Sequence, residues 1–175
     1  MKTRLLLGLA AIIAAAAVWA FYSSRAGGTV GLEVGDHPPP FQLTDAWDRP
    51  IDLPTLTDGK PGLIFFTATW CTPCVQGLRE LQRFEADAGP RFNVLVVFVD
   101  PNETEDDVRA YRDRYGFPSR WYFAKDPGQM TLDYRVQALD TKYLIDASGV
   151  IRYKSLSPAD YRTWVRVFAQ VGVGP

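Results

Sequence analysis

Leu63-Ile64-Phe65-Phe66-Thr67-Ala68-Thr69-Trp70-Cys71-Thr72-Pro73-Cys74 is the stretch on which the fold turns. Its opening run of apolar residues reads as a buried strand. From Cys74 to about Ala88, Val75, Leu78, Leu81 and Phe84 recur at helical spacing, with Gln76, Arg79, Glu80 and Arg83 on the other side. The C-x-x-C therefore lies where a strand passes into a helix, and its two thiols stand about one helical turn apart. Cys71 and Cys74 are the only cysteines in the chain, so no structural disulfide framework claims them. A reversible dithiol–disulfide centre is the simplest reading.

Outward from this junction, Gly59-Lys60-Pro61-Gly62 makes a turn before the strand. Val94-Leu95-Val96-Val97-Phe98-Val99 is continuously apolar and largely β-branched, as a central parallel strand is. Glu105–Tyr115 predicts a polar helix stopped by Gly116 and Pro118. The acids Glu103, Glu105, Asp106 and Asp107 suit the start of that helix as ordinary capping. Tyr143-Leu144-Ile145 predicts a further buried strand, Ala147-Ser148-Gly149 a turn, and Val150-Ile151-Arg152-Tyr153 its partner. A last helix is expected from Ser157-Pro158, with Pro158 at its first position and Tyr161, Trp164, Val165 and Phe168 on one face. Upstream, Phe41–Thr44 and Ile51–Leu53 alternate around a polar turn and predict an N-terminal hairpin. The order is that of a thioredoxin-like α/β fold: a central mixed sheet flanked by helices, with the hairpin as an extension.

The 175 residues divide into an N-terminal segment (1–24), a tether (25–33) and one domain (34–175). Lys2 and Arg4 precede a low-polarity run from Leu5 to Tyr22, ending in Trp19, Phe21 and Tyr22. That pattern predicts a single-pass anchor with the domain on the extracytoplasmic side of a bacterial membrane, or a cleaved signal peptide. Either way the dithiol works where disulfides persist. The lipid bilayer is then a partner. A net charge of −1 without a basic stripe makes nucleic acid a poor one.

Cys71 is expected at the helix N-cap, where free N–H groups and the helix dipole favour a thiolate. It would attack a protein disulfide, and the more buried Cys74 would resolve the mixed disulfide. Thr72 and Pro73 set the backbone between them, and Trp70 offers an apolar rim for an extended partner segment. A zinc site would need further ligands, and the only histidine, His37, lies far off on a proline-rich arm. No cofactor is expected beyond the Cys71–Cys74 disulfide.

Val34-Gly35-Asp36, Pro40–Asp45, Gly59-Lys60-Pro61, Thr67–Cys74 and Tyr143–Gly149 together resemble the TlpA/ResA family over roughly residues 34–155. The resemblance implies a membrane-anchored, thioredoxin-like oxidoreductase that reduces extracytoplasmic disulfides in cytochrome c maturation or copper-centre assembly. It also implies a membrane thiol-reducing protein as electron donor. Three departures stand out. Phe65 occupies the position of a buried Asp or Asn, Gly77 that of a glutamate, and Asp140 that of a cis-proline facing the dithiol. Asp140 would then replace the absent acids as proton acceptor, or raise the thiol pKa by repulsion; otherwise it caps a turn and faces water.

Val99–Thr104 and Cys74…Leu81 are also similar to Sco-type copper chaperones, which lack the cis-proline. That likeness implies Cu(I) at Cys71 and Cys74, a soft ion on soft ligands. The cysteine spacing is shorter here, and Ala138 stands where that family has histidine. A peroxidase would need a Pro-x-x-x-Thr-x-x-Cys frame, which the residues before Cys71 do not supply.

Overall fold

The structure is a computed structural model that describes residues 29–175; the expected anchor and residues 25–28 of the tether lie outside the described residues. β1 (Gln42–Thr44) and β2 (Pro50–Asp52) form the expected antiparallel hairpin. Leu53, expected at the end of β2, instead opens the short helix α1 (Leu53–Leu56). The Asp52 carboxylate accepts from Thr55 N at 2.8 Å and caps it.

β3 (Gly62–Thr67) is buried along its whole length. It continues into α2 (Thr72–Ala88), β4 (Asn93–Phe98), α3 (Glu105–Tyr115) and β5 (Tyr122–Lys125). β3, β4 and β5 are parallel neighbours. On the other side of β3, β6 (Lys142–Ile145) pairs antiparallel, and β7 (Ile151–Ser155) pairs antiparallel with β6. The sheet order is β5-β4-β3-β6-β7. α4 (Gln129–Asp133) lies between β5 and β6, and α5 (Tyr161–Ala169) ends the fold. This is the mixed sheet flanked by helices that the sequence predicts.

Alternation along the central strands divides the core into two layers. Leu63, Phe65, Val94, Val96, Phe98 and Leu144 face α2 and α5. Ile64, Phe66, Leu95, Val97, Tyr143 and Ile145 face the N-terminal hairpin and α4. Phe84 of α2 stacks on Phe92 and Phe168, with ring centroids 5.8 and 5.0 Å away. This cluster fixes α2 against α5, and so fixes the helix whose N-terminus carries the cysteines.

Besides α1, two elements were not expected, β5 and α4. Only Phe123 and Ala124 of β5 are fully buried, so its periodicity is faint and pairing with β4 decides its state. α4 is organised by a loop carboxylate: Asp126 accepts from Gly128 N, Met130 N and Thr131 N. The last helix begins at Tyr161 and not at Ser157, because Asp160 caps it by accepting from Thr163 N at 2.8 Å. Its buried face is Trp164, Val167 and Phe168, while Tyr161 and Val165 are half-buried.

The turn from β6 to β7 depends on Asp146. Its carboxylate accepts from Ser148 N (2.9 Å), Ser148 Oγ (2.6 Å), Val150 N (3.0 Å) and Arg152 Nε (2.6 Å). Partial burial opposes its ionisation, but these bonds outweigh that and hold the carboxyl at about 2. The folded pKa is depressed, so the stabilisation is present above the unfolded value of 3.8 and is lost as pH falls through about 2. Asp146→Ala should cost about 1–3 kcal/mol at neutral pH. Thermal unfolding of both proteins should show that gap closing as pH falls from 4 toward 2.

Candidate active site

Cys71 is the N-cap of α2, in extended backbone (φ −78°, ψ 90°), and Cys74 lies in the first turn. They form a disulfide with Cα atoms 5.3 Å apart. Cys74 is fully buried and Cys71 is 5% exposed, so the outer sulfur is less open in the oxidised form than the sequence suggests. Thr72 and Pro73 are exposed. Pro73 sits in the first helical turn, where its missing N–H costs nothing. The field of the helix N-terminus favours a thiolate at Cys71 once the disulfide opens.

The loop entering Cys71 is held by the loop between β4 and α3. Trp70 Nε1 donates to Asp100 Oδ2 at 2.8 Å, and that bond holds the Asp100 carboxyl below its usual range. Thr69 N donates to Glu103 Oε1. Glu103 is only 6% exposed, so it does not belong to the capping cluster with Glu105 and Asp106. The cap of α3 is a reciprocal pair between Thr104 and Asp107. Glu103 is a supporting residue that the sequence did not distinguish from its acidic neighbours.

Trp70 is 66% exposed and forms one side of a groove of about 420 Å³. Cys71, Thr72 and Pro73 line one wall; Leu139, Asp140, Leu156 and Pro158 line the other. The structure therefore brings every residue singled out for the site to one place, with Cys74 directly beneath. A larger hollow beside β4 and β5, lined by Val99, Lys125 and Leu132, contains neither cysteine.

Asp140 faces inward and is 4% exposed, so it does not cap a turn toward water. No peptide bond among the described residues is cis, and Asp140 adopts the left-handed conformation at φ +69°. Its N–H donates to Phe66 O at 2.9 Å while Phe66 N donates to Thr141 O at 2.8 Å. A proline here could make no such bond and could not adopt that φ.

Lys142, absent from the sequence reading, is completely buried. Its Nζ donates to Asp140 O (2.6 Å) and Ser157 O (2.7 Å), and stands 3.0 Å from Asp140 Oδ1. It also lies 5.2 Å from the centroid of the Phe65 ring. The Asp140 carboxyl receives this ion pair but no well-directed hydrogen bond. Burial pushes the Asp140 carboxyl above its usual range, against the pull of Lys142. Burial likewise pushes the Lys142 ammonium down. The signal in the sequence was alternation: Lys142 shares a face with buried Leu144.

The three departures noted in the sequence meet at this point. A Cβ added to Gly77 would lie 3.7 Å from both Asp140 Oδ1 and Phe65 Cζ. Phe65 and Gly77 thus border the carboxylate supplied by Asp140. His37 packs instead against Gly149, beyond the other end of β6. Among the described residues, no three His, Cys, Asp or Glu side chains are grouped to hold a metal.

Residues 34–154 match the model of the AhpC/TSA family. Thioredoxin-like protein YneN of Bacillus subtilis is 30% identical, over 77% of this chain and 78% of its own. Thiol:disulfide interchange protein DsbE of Allochromatium vinosum is 27% identical over the same shares. A crystal structure of a thioredoxin-family thiol:disulfide interchange protein from Chlorobium tepidum superposes with a TM-score of 0.68. It is 20% identical and covers 79% of this chain and 97% of that one, a likeness of fold.

Lys142→Met would leave the Asp140 charge buried without its counter-charge, at a cost of about 3–5 kcal/mol. Adding Asp140→Asn removes the stranded charge and should recover most of that loss. Denaturant unfolding of the two single variants and the double variant gives the coupling directly.

Proposed function

This chain belongs to the AhpC/TSA family and is a C-x-x-C oxidoreductase of thioredoxin fold, and we propose that it reduces protein disulfides outside the cytoplasm. The observation that carries the reading is the groove in which Trp70 and Leu156, both exposed, flank Cys71. An extended polypeptide laid there would present its disulfide to the outer sulfur. The DsbE-type relatives, named as thiol:disulfide interchange proteins, support exchange as the chemistry.

In this mechanism the Cys71 thiolate attacks one sulfur of the partner disulfide. One partner thiolate leaves, and a mixed disulfide forms on Cys71. Cys74 loses its proton and attacks Cys71 Sγ. The Cys71–Cys74 bond closes and the second partner thiolate departs. Two electrons have passed to the partner, and a membrane thiol-reducing protein would return them. Residues 1–24 would hold the domain at the membrane beside that donor. The resemblance to TlpA/ResA points to apocytochrome c or a copper-site polypeptide as the partner. Cu(I) carried by Cys71 and Cys74 is the other reading. The two thiolates suffice for a soft ion, and Asp140 or a partner would supply any further ligand.

Cys74→Ser should stop the reaction at its midpoint. Incubated with insulin, the reduced full-length variant should accumulate an adduct joined through Cys71, and thiol should release it. Cys71→Ser should give none and should reduce insulin at least about a thousandfold more slowly. No adduct on non-reducing gels would overturn the proposal.

A further inference from the structure

Asp140 lines the groove with Lys142 buried behind it, and neither takes part in the sulfur-exchange steps. Resolution requires that Cys74, fully buried, give up a proton. Water has poor access to it, and the positions where acids were expected hold Phe65 and Gly77. Asp140 Oδ1 stands beside Gly77, one helical turn beyond Cys74 on the same face of α2. The same residue lines the groove that contains Cys71.

We propose that Asp140 accepts the Cys74 proton during resolution, and that Lys142 is the positioning residue that keeps its carboxylate ionised and in place. The assignment rests on the thiol–disulfide reading and deepens it. The step balances. Cys74–SH and the Asp140 carboxylate become thiolate and carboxylic acid. The thiolate attacks Cys71 Sγ, the bond from Cys71 to the partner breaks, and the partner leaves as thiolate. The carboxylic acid then returns its proton to that thiolate or to water.

Geometry supports the division of roles. The Lys142 ammonium holds Asp140 O and Ser157 O at once, so it fixes the loop carrying Asp140 to the loop before α5. The Asp140 carboxyl keeps accepting capacity, because its ion pair leaves both oxygens without a well-directed hydrogen bond. β6 supplies Lys142 beside Asp140 and α2 the two cysteines; β3 offers Phe65 at Gly77 and no titratable group, and the loop before α5 offers carbonyl oxygens, Ser157 O to Lys142 and Ala159 O near Gly77. Burial raises the carboxyl above its usual range, against the pull of Lys142, which makes it a stronger proton acceptor. Asn accepts the left-handed backbone, so Asp140→Asn keeps the shape and removes the base.

The test is stopped-flow release of coloured thiolate from a bis(nitrothiobenzoate) disulfide by the reduced full-length protein. Attack by Cys71 releases the first thiolate, and resolution by Cys74 releases the second. The second phase in the unmodified protein should weaken as pH falls through the Asp140 ionisation. In Asp140→Asn the first phase should change much less than the second. The second should slow by about a hundredfold near neutrality and rise steadily with pH. In Lys142→Met, loss of the counter-charge should move the second-phase inflection to higher pH; a merely structural role would leave its position unchanged. The proposal is overturned if Asp140→Asn retains the second-phase rate and profile, or if both phases slow alike. Should Asp140→Asn not fold, a second phase in the unmodified protein that lacks the acid-side inflection also overturns it. Absence of even the first phase in the unmodified protein would instead reject the thiol–disulfide reading.

Discussion

The buried Lys142 ammonium is the interaction on which the groove's second wall depends. Removing it from water costs several kcal/mol, which only close partners repay. It has three oxygens within 3.0 Å: two backbone carbonyls and one carboxylate. The carbonyls belong to residues 140 and 157, far apart in sequence yet adjacent beside the disulfide. One charge thereby sets the spacing of loops that would otherwise be joined only through β6 and β7. The aliphatic stem of Lys142 completes the core layer that Phe65 and Leu144 occupy, so the ion pair is continuous with apolar packing.

The opposite wall is built differently. There the helix N-terminus supplies the field, and two acids of the β4–α3 loop hold the approach to Cys71. The parallel pairing of β3 with β4 places the ends of both strands together. That is why residues 100 and 103 reach residues 69 and 70. Trp70 can then remain largely exposed without being loose, since its indole N–H is bonded to Asp100. The open ring is a contact surface held in position before any partner arrives, which lowers the entropic cost of docking.

Much of this was legible in the sequence because the deciding elements carry strong periodic signals. β3 and β4 are continuous apolar runs, and α2 and α3 keep helical spacing with clear stops. Cys71, Cys74, Trp70, Thr72, Pro73 and Asp140 do line or underlie one groove. The misses have physical causes. β5 and α4 owe their state to partners outside their own residues: β4 in one case and the Asp126 carboxylate in the other. Glu103 is one acid among several and only tertiary packing buries it, while Lys142 opens an apolar strand, where its charge hides the face it shares with Leu144. Phe65, Gly77 and Asp140 were each visible as departures. Their convergence was not, because it joins a strand, a helix and a loop separated by tens of residues.

That convergence bears on how such a chain diverges. With Gly77 alone replaced by glutamate, a longer side chain would have to share the space between Asp140 and Phe65. With Asp140 alone replaced by proline, a sheet bond would be lost and the Lys142 ammonium left without its carboxylate. With Lys142 alone replaced by an apolar residue, a bare charge would remain inside. Phe65, Gly77, Asp140 and Lys142 thus act as one unit, in which a change at one position has to be met by a change at its neighbours.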